Sequence, residues 1–146
     1  EHLPDWTHLQ SLELFSCHSF NFAALDISKF ASLRCLKLTD CNGISDVSSL
    51  GNIHELHLRC CPSVSNISSL NNNKIVVIKD CPIYDYSKSF EYTRVLNLTI
   101  CHFDVIPMDL TRLKTIQSLT IDFNYSTSLT EPSTFIQNFD NLPRSL

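Results

Sequence analysis

A nine-residue frame recurs six times along the chain, and this repetition restricts the possible folds more than any other feature. In the first copy, Leu9, Leu12 and Leu14 occupy the first, fourth and sixth positions, and Cys17 occupies the ninth. The ninth positions fall at residues 17, 41, 61, 81, 101 and 124, so the central units are 20 residues long. Self-similarity at such a period indicates structural units that stack on one another as a solenoid.

Within each frame the apolar positions alternate with variable positions, which predicts a β-strand that has one buried and one open face. Six such strands, one from each unit, are expected to stack as a parallel sheet. The arm that returns from each strand contains apolar residues that we expect to point inward. They recur at the same offsets in two neighbouring units, as Ile44, Val47 and Leu50 and then as Val64, Ile67 and Leu70.

The frame resembles that of the leucine-rich repeat family, L-x-x-L-x-L-x-x-N/C, with cysteine in the ladder (ninth) position of most units. The resemblance covers nearly the whole chain. It implies an α/β fold, namely a right-handed solenoid with a parallel β-sheet on the concave side and short helical or extended outer arms. We expect one domain over 1–146, a segment of a longer array, with repeats at 9–32, 33–52, 53–72, 73–92, 93–115 and 116–141.

Two parts of the repeat deviate from regularity. Asn73 and Thr93 occupy the first apolar slot of adjacent units, which predicts an irregular region there because both would place polar groups in the core. Residues 106–113 contain a proline followed by apolar residues at three-residue spacing, which predicts one or two helical turns. The shorter middle arms are expected to be extended or to form a 3₁₀ turn.

Composition excludes several functional classes. The two glycines, Gly43 and Gly51, cannot form the glycine-rich loops that hold nucleotide phosphates. A net charge of −4 argues against general nucleic-acid binding, which requires a basic face. The longest aliphatic run, residues 75–78, is too short to cross a bilayer, so we expect a soluble chain with no membrane partner.

The cysteines follow the repeat. Cysteine or asparagine in the ladder position has a donor that can bond to backbone groups where the chain leaves the sheet. The ladder comprises Cys17, Cys41, Cys61, Cys81, Cys101 and Asn124. Because the total of seven cysteines is odd and no secretion signal is visible, we expect free thiols and a cytoplasmic location. The sequons at Asn66, Asn97 and Asn124 keep an extracellular location open.

No catalytic or metal-binding constellation is evident in the sequence. His54, Glu55 and His57, followed by Cys60 and Cys61, form the one cluster typical of metal chemistry. The strand alternation directs Cys61 into the interior and away from His57, so four ligands would not converge. A nucleophile at Cys60 would lack both an orienting group and oxyanion donors. We therefore expect neither an enzyme, nor a metal, nor a cofactor, nor a small-molecule substrate.

The open face of the sheet is the candidate binding surface. Among its charged residues in the middle repeats, basic side chains outnumber acidic ones, and an apolar group lies between them. The sharper interpretation is a protein-interaction module for a partner with an acidic segment, and the simpler one is that polar residues face water on any sheet. Alternatives are the substrate-recognition part of a larger enzyme or of an F-box-type ubiquitin-ligase adaptor, and an immune-receptor ectodomain fragment. The candidate residues are Lys37, Glu55, His57, Arg59, Ile75, Val77, Lys79 and Arg94.

Overall fold

Each of the six frames forms one strand, and the strands lie side by side in chain order in a single parallel sheet. The computed structural model describes residues 6–19, 29–100, 108–123 and 136–137. The strands of the main sheet are β1 (Ser11–Phe15), β2 (Cys35–Thr39), β3 (Glu55–Arg59), β4 (Ile75–Lys79), β5 (Val95–Ile100) and β7 (Ser118–Phe123). Two short strands, β6 (Met108–Asp109) and β8 (Ile136–Gln137), pair separately from this sheet.

Equivalent positions of the frame stack directly on one another. Leu12 pairs with Leu36, and the row continues through Leu56, Val76, Leu96 and Leu119. Such a row requires every unit to enter the sheet in the same register, because a shift of one residue would move the apolar side chains to the open face. The parallel solenoid predicted from the repeat is therefore confirmed.

The core lies between this sheet and the returning arms. Leu36, Leu38, Leu56 and Leu58 on the strands are each at most 1 % exposed. The inward-pointing residues predicted on the first two middle arms are also buried, as are Ile83, Tyr86 and Phe90 on the third arm. The three middle units, 33–52, 53–72 and 73–92, thus contribute apolar side chains from strand and arm to one continuous cluster.

The helical part of the expected α/β fold is not confirmed. Among the described residues, the outer arms contain 3₁₀ turns at Ser48–Leu50 and Leu110–Arg112 and no α-helix. The inward residues of the middle arms recur every three residues, and this period matches the three residues per turn of a 3₁₀ helix. In the fifth unit, Met108 and Asp109 form a strand and only the following three residues turn, which is less helix than the sequence predicted.

The polar residues in the first apolar slot do not disturb the sheet, so the predicted irregularity was wrong. Strands β3, β4 and β5 pair in continuous register past Asn73 and Thr93, both of which are completely buried. Asn73 Nδ2 donates to the carbonyls of Leu50 and Ile53 at 2.8 and 2.6 Å, which links its unit to the two units before it. Thr93 Oγ1 and Asn73 Oδ1 have no hydrogen-bond partner.

The described part of the chain has no helix that combines the length and the apolar character needed to cross a membrane.

Candidate protein-binding face

The ladder cysteines lie where the chain turns away from the sheet. Cys41 Sγ lies 3.4 Å from the carbonyl of Thr39 in its own unit and 3.7 Å from that of Leu14 in the preceding unit. Cys61 repeats the arrangement, with 3.3 Å to the Arg59 carbonyl and 3.6 Å to the Leu38 carbonyl. These thiols therefore donate to backbone carbonyls of two successive units.

For two further ladder cysteines, the carbonyl contact lies within their own unit. Cys81 Sγ lies 3.3 Å from the Lys79 carbonyl, and Cys17 Sγ lies 3.4 Å from the Phe15 carbonyl. Cys101 and Asn124, which complete the predicted ladder, lie outside the described residues.

The six described cysteines are free thiols. Burial raises the pKa of the Cys41 thiol, and a side-chain hydrogen bond to Cys61 together with burial raises that of Cys81. Cys60 is exposed, yet partial desolvation and the nearby carboxylates of Asp80 and Asp40 raise its pKa as well. Since the thiolate is the reactive form, these three cysteines are poor nucleophiles at neutral pH.

Four strands are each followed by a residue with left-handed backbone conformation, a feature that the sequence did not predict. Ser16, Asp40, Cys60 and Asp80 have φ values between 49° and 55°. The first three donate their backbone N–H to the carbonyl of the last residue of the next strand, at 2.9 Å in each case. The turn carries these four residues from the sheet face to its edge, where they form what we call the left-handed row. Serine and aspartate at the eighth position were the available signal, since short polar side chains tolerate this conformation.

Charged and apolar candidates occupy defined rows on the open face, by which we mean the strand side chains that alternate with the buried ones. Lys37, His57 and Val77 lie in one row across β2, β3 and β4, and Arg59 pairs with Lys79 in the next. The four predicted basic residues, Lys37, His57, Arg59 and Lys79, thus lie within three neighbouring strands. All of these side chains are half-buried except that of Arg59, which is exposed.

One of these basic residues is already paired. His57 Nε2 lies 2.7 Å from Glu55 Oε1, and both side chains are about one third exposed. The pair therefore contributes less positive potential to the open face than His57 would alone. Lys37, Arg59 and Lys79 have no ion pair among the described residues.

Three aliphatic side chains form a contiguous patch on the open face. Ile75 and Val77 lie two residues apart on β4, and Val95 is the partner of Ile75 on β5. All three are half-buried, unlike the neighbouring Val76, Ile78 and Leu96, which are completely buried. We call these three residues the apolar patch, and it borders Lys79 on the same strand.

Arg94 lies apart from this patch, in a row of residues that each immediately precede a strand. The row comprises Arg34, His54, Lys74 and Arg94, and we call it the basic row. The chain directs these side chains to the edge opposite the left-handed row, which contains Asp40 and Asp80. The charges that the sequence assigned to one open face are therefore divided between that face, which keeps Lys37, Arg59 and Lys79, and the two ends of the strands.

No group of three or more His, Cys, Asp or Glu side chains is placed to hold a metal ion within the part of the chain described. His57 and Glu55 are in contact, whereas Cys61 points into the core and is completely buried. Cys60 follows the strand in a left-handed turn at the sheet edge.

The outer arms contain a second recurring turn. The carboxylate of Asp46 accepts the Ser48 N–H at 2.8 Å, and Asn66 accepts the Ser68 N–H at 3.0 Å in the same way. Asp85 with Ser87 and Asp109 with Thr111 repeat the pattern, with an additional bond from the hydroxyl. The sequon asparagine Asn66 is thus part of an exposed turn, whereas Asn97 is half-buried on β5 and Asn124 lies outside the described residues.

Comparisons of the chain with protein-family models, with curated proteins and with solved structures found no match.

Proposed function

We propose that the chain is a recognition module of the leucine-rich repeat type that binds a protein partner on the open face of its sheet. The observation that carries the proposal is the apolar patch on that face, bordered by basic side chains. A patch of this kind matches the usual anatomy of an interface, in which an apolar centre is surrounded by a polar rim. The repeat frame and the parallel register of the strands support the family assignment.

The remaining exposure of the apolar patch supplies a driving force for binding. Fully burying an aliphatic side chain contributes about 1.5–3 kcal/mol, so completing the burial of three half-buried ones contributes about 3 kcal/mol in total. Lys79 borders the patch on β4, Arg59 lies beside Lys79 on β3, and Lys37 lies on β2, so these charges can select partners on one side of the patch. The partner that fits best therefore presents a small apolar group beside carboxylates.

A location in the cytoplasm is part of the same proposal. It is supported by the free thiols in the core and at the sheet edge, which suit a reducing compartment. The chain itself is proposed to be non-catalytic and to need no cofactor. A role as the substrate-recognition part of a larger enzyme or adaptor uses the same face and differs only in what is attached to it.

A substitution in the apolar patch tests the proposal. Proteins captured by the wild-type chain and by V77D would be compared by quantitative mass spectrometry, with T120D as the matched control on the exposed end of the same face. We expect V77D to lose a partner that T120D retains, because a carboxylate placed in the apolar patch would have to lose its water when the partner binds, which is unfavourable. Circular dichroism must show that both variants fold. If V77D captures every partner of the wild-type chain, the open face is not the binding site.

A charge reversal tests the basic border of the patch. R59E together with K79E should leave the fold intact, because Arg59 is exposed, Lys79 is half-buried, and the leucines beneath them are unchanged. Binding to the captured partner should slow mainly in its association rate, and the difference should diminish with salt. An association rate equal to that of the wild-type chain at low ionic strength would exclude these two residues from the interface.

A further inference from the structure

We propose that the basic row holds an extended acidic peptide segment, which crosses the units of the solenoid and contacts one side chain of the row in each. The proposal rests on the assignment of the chain as a protein-binding module and deepens it. It adds an acidic segment at one edge of the sheet to the carboxylates that Arg59 and Lys79 select on the open face. The four residues concerned are Arg34, His54, Lys74 and Arg94.

Backbone hydrogen bonds align these residues across successive units. Arg34 N–H donates to the Gln10 carbonyl, Lys74 N–H to the His54 carbonyl and Arg94 N–H to the Lys74 carbonyl, each at 2.9 Å. Adjacent strands are about 4.8 Å apart, so the Cα atoms of the four residues span about 14 Å. The row is therefore a straight line of basic groups perpendicular to the strands.

The basic row has no compensating charge among the described residues. None of its four side chains forms a hydrogen bond or an ion pair there, and three of them are exposed while Lys74 is half-buried. Two carboxylates near the row in sequence are engaged elsewhere. Glu55, directly after His54, contacts His57, and Glu91, three residues before Arg94, binds Lys114. The chain carries a net charge of −4, so a line of unpaired basic groups is not a consequence of its overall composition.

Glutamines extend the row at both ends and set its length. Gln10 precedes β1 and Gln117 precedes β7, where Gln117 N–H donates to the Arg94 carbonyl at 2.7 Å. All six side chains can donate hydrogen bonds, and none is an obligatory acceptor. Six positions span about 24 Å, which an extended peptide covers with about seven residues.

The spacing of the row predicts how selective it is. Side chains on one face of an extended peptide recur about every 6.8 Å, whereas the row recurs about every 4.8 Å. The two patterns do not match position by position, and the flexible arginine and lysine side chains must accommodate the difference. We therefore expect the site to recognise acidic composition rather than one sequence.

The opposite edge of the sheet favours a narrow partner over a broad polyanion. In the left-handed row, Asp40 and Asp80 each lie six residues after the basic residue of their own unit, which corresponds to about 20 Å along the extended chain. A nucleic-acid duplex wide enough to cover both edges would meet these carboxylates. The row also contains no Phe, Tyr or Trp side chain, the large rings on which the bases of a single strand usually stack, and its one aromatic ring is the imidazole of His54.

Binding of defined probes to the 146-residue chain tests the inference. The probe is a fluorescein-labelled decapeptide of glutamate, and the control is the same peptide made of glutamine. R34Q combined with R94Q removes two charges from the basic row, and R59Q combined with K79Q removes two from the open face. We expect the wild-type chain to bind the glutamate peptide and not the glutamine peptide. The row variant should bind it about tenfold more weakly, since two exposed charge contacts are lost, and the open-face variant less than twofold more weakly.

Each contrary result overturns the inference in a recognisable way. No binding of the glutamate peptide, or equal losses in the two double variants, would show that the row is not a discrete site. A loss confined to R59Q with K79Q would reject the row while leaving the proposed open-face function in place. Equally tight binding of a ten-nucleotide single-stranded oligothymidine would replace the peptide with a nucleic acid as the occupant. Loss of the captured partner in V77D remains an independent measure of the proposed function.

Discussion

Alanine at Gly51 should destabilise the solenoid because two successive outer arms approach each other closely at this residue. A Cβ atom there would lie 2.4 Å from the backbone carbonyl oxygen of Ser69, in the next unit. The backbone of Gly51, at φ −62° and ψ −15°, is one that alanine adopts without strain. The effect of the substitution is therefore one of packing between units and not of backbone conformation.

The magnitude follows from the displacement that the new atom requires. The arms must separate by about 1 Å to restore an ordinary contact, and overpacking of this kind costs about 1–3 kcal/mol. The same movement lengthens the bond of 3.2 Å from Ser69 Oγ to the Val47 carbonyl, which contributes about 1 kcal/mol. Reduced freedom of the unfolded chain offsets about 0.4–1 kcal/mol. The net loss in the free energy of unfolding is about 1–3 kcal/mol.

Urea denaturation followed by far-ultraviolet circular dichroism measures this loss. With a slope of about 2 kcal/mol per molar urea, G51A should lower the midpoint by about 0.5–1.5 M. G43A is the matched control, because Gly43 is exposed and has no positive φ, and its midpoint should stay constant or rise slightly. If G51A were as stable as G43A, the close approach between the two arms would be wrong.

Three further predictions test the core, the thiols and the outer turns. T93V should raise the free energy of unfolding by about 1 kcal/mol, because it removes a buried hydroxyl that has no partner. N73L should lower it by about 1–3 kcal/mol, because the Ile53 carbonyl loses its amide donor and the Leu50 carbonyl keeps only the Ile53 N–H. Changes of the same sign in denaturant titrations would contradict this assignment. In a titration with Ellman's reagent, Cys60 should react in the native chain, and its reaction rate should increase as pH rises past about 8.5. The three buried thiols, Cys41, Cys61 and Cys81, should react only when the chain unfolds. The backbone N–H bond from Ser48 lowers the pKa of Asp46 in the folded chain. The ionised carboxylate therefore stabilises the fold at pH above its ordinary pKa of about 3.9, and this stabilisation is lost as pH falls through the lowered pKa of the folded chain. D46N, which copies the natural Asn66 turn, should be as stable as the wild-type chain at pH 7 and should lose less thermal stability in acid. If the melting temperature of D46N fell with pH as steeply as that of the wild-type chain, this carboxylate would not have the proposed role.

Local sequence was sufficient to predict the strands and the buried side of the sheet. The alternation in Leu36, Lys37 and Leu38 determines which side chains enter the core, because successive residues of a strand point to opposite faces. Repetition then determines the register, since each unit must bury the same positions as its neighbours. The inward residues of the arms, such as Val47 and Ile67, followed from the same repetition.

Other features depend on contacts between units that no single repeat contains. Asn73 was expected to disturb the core, yet the carbonyls of Leu50 and Ile53, from the two units before it, satisfy its amide donor. Gly51 is needed only because Ser69 of the following unit approaches it. Both outcomes depend on the separation of successive arms, which the composition of one repeat does not determine.

The candidate site divides in the same way. Sequence alone identified the basic residues and the apolar patch as surface side chains, because they alternate with buried leucines. Tertiary structure decided how they are arranged, since stacking of the units aligns Arg34 and Arg94 before their strands at one edge and Asp40 and Asp80 after their strands at the other. A local pattern determines which face a side chain occupies, whereas its neighbours on that face come from residues about 20 positions away, which only stacking of the units brings together.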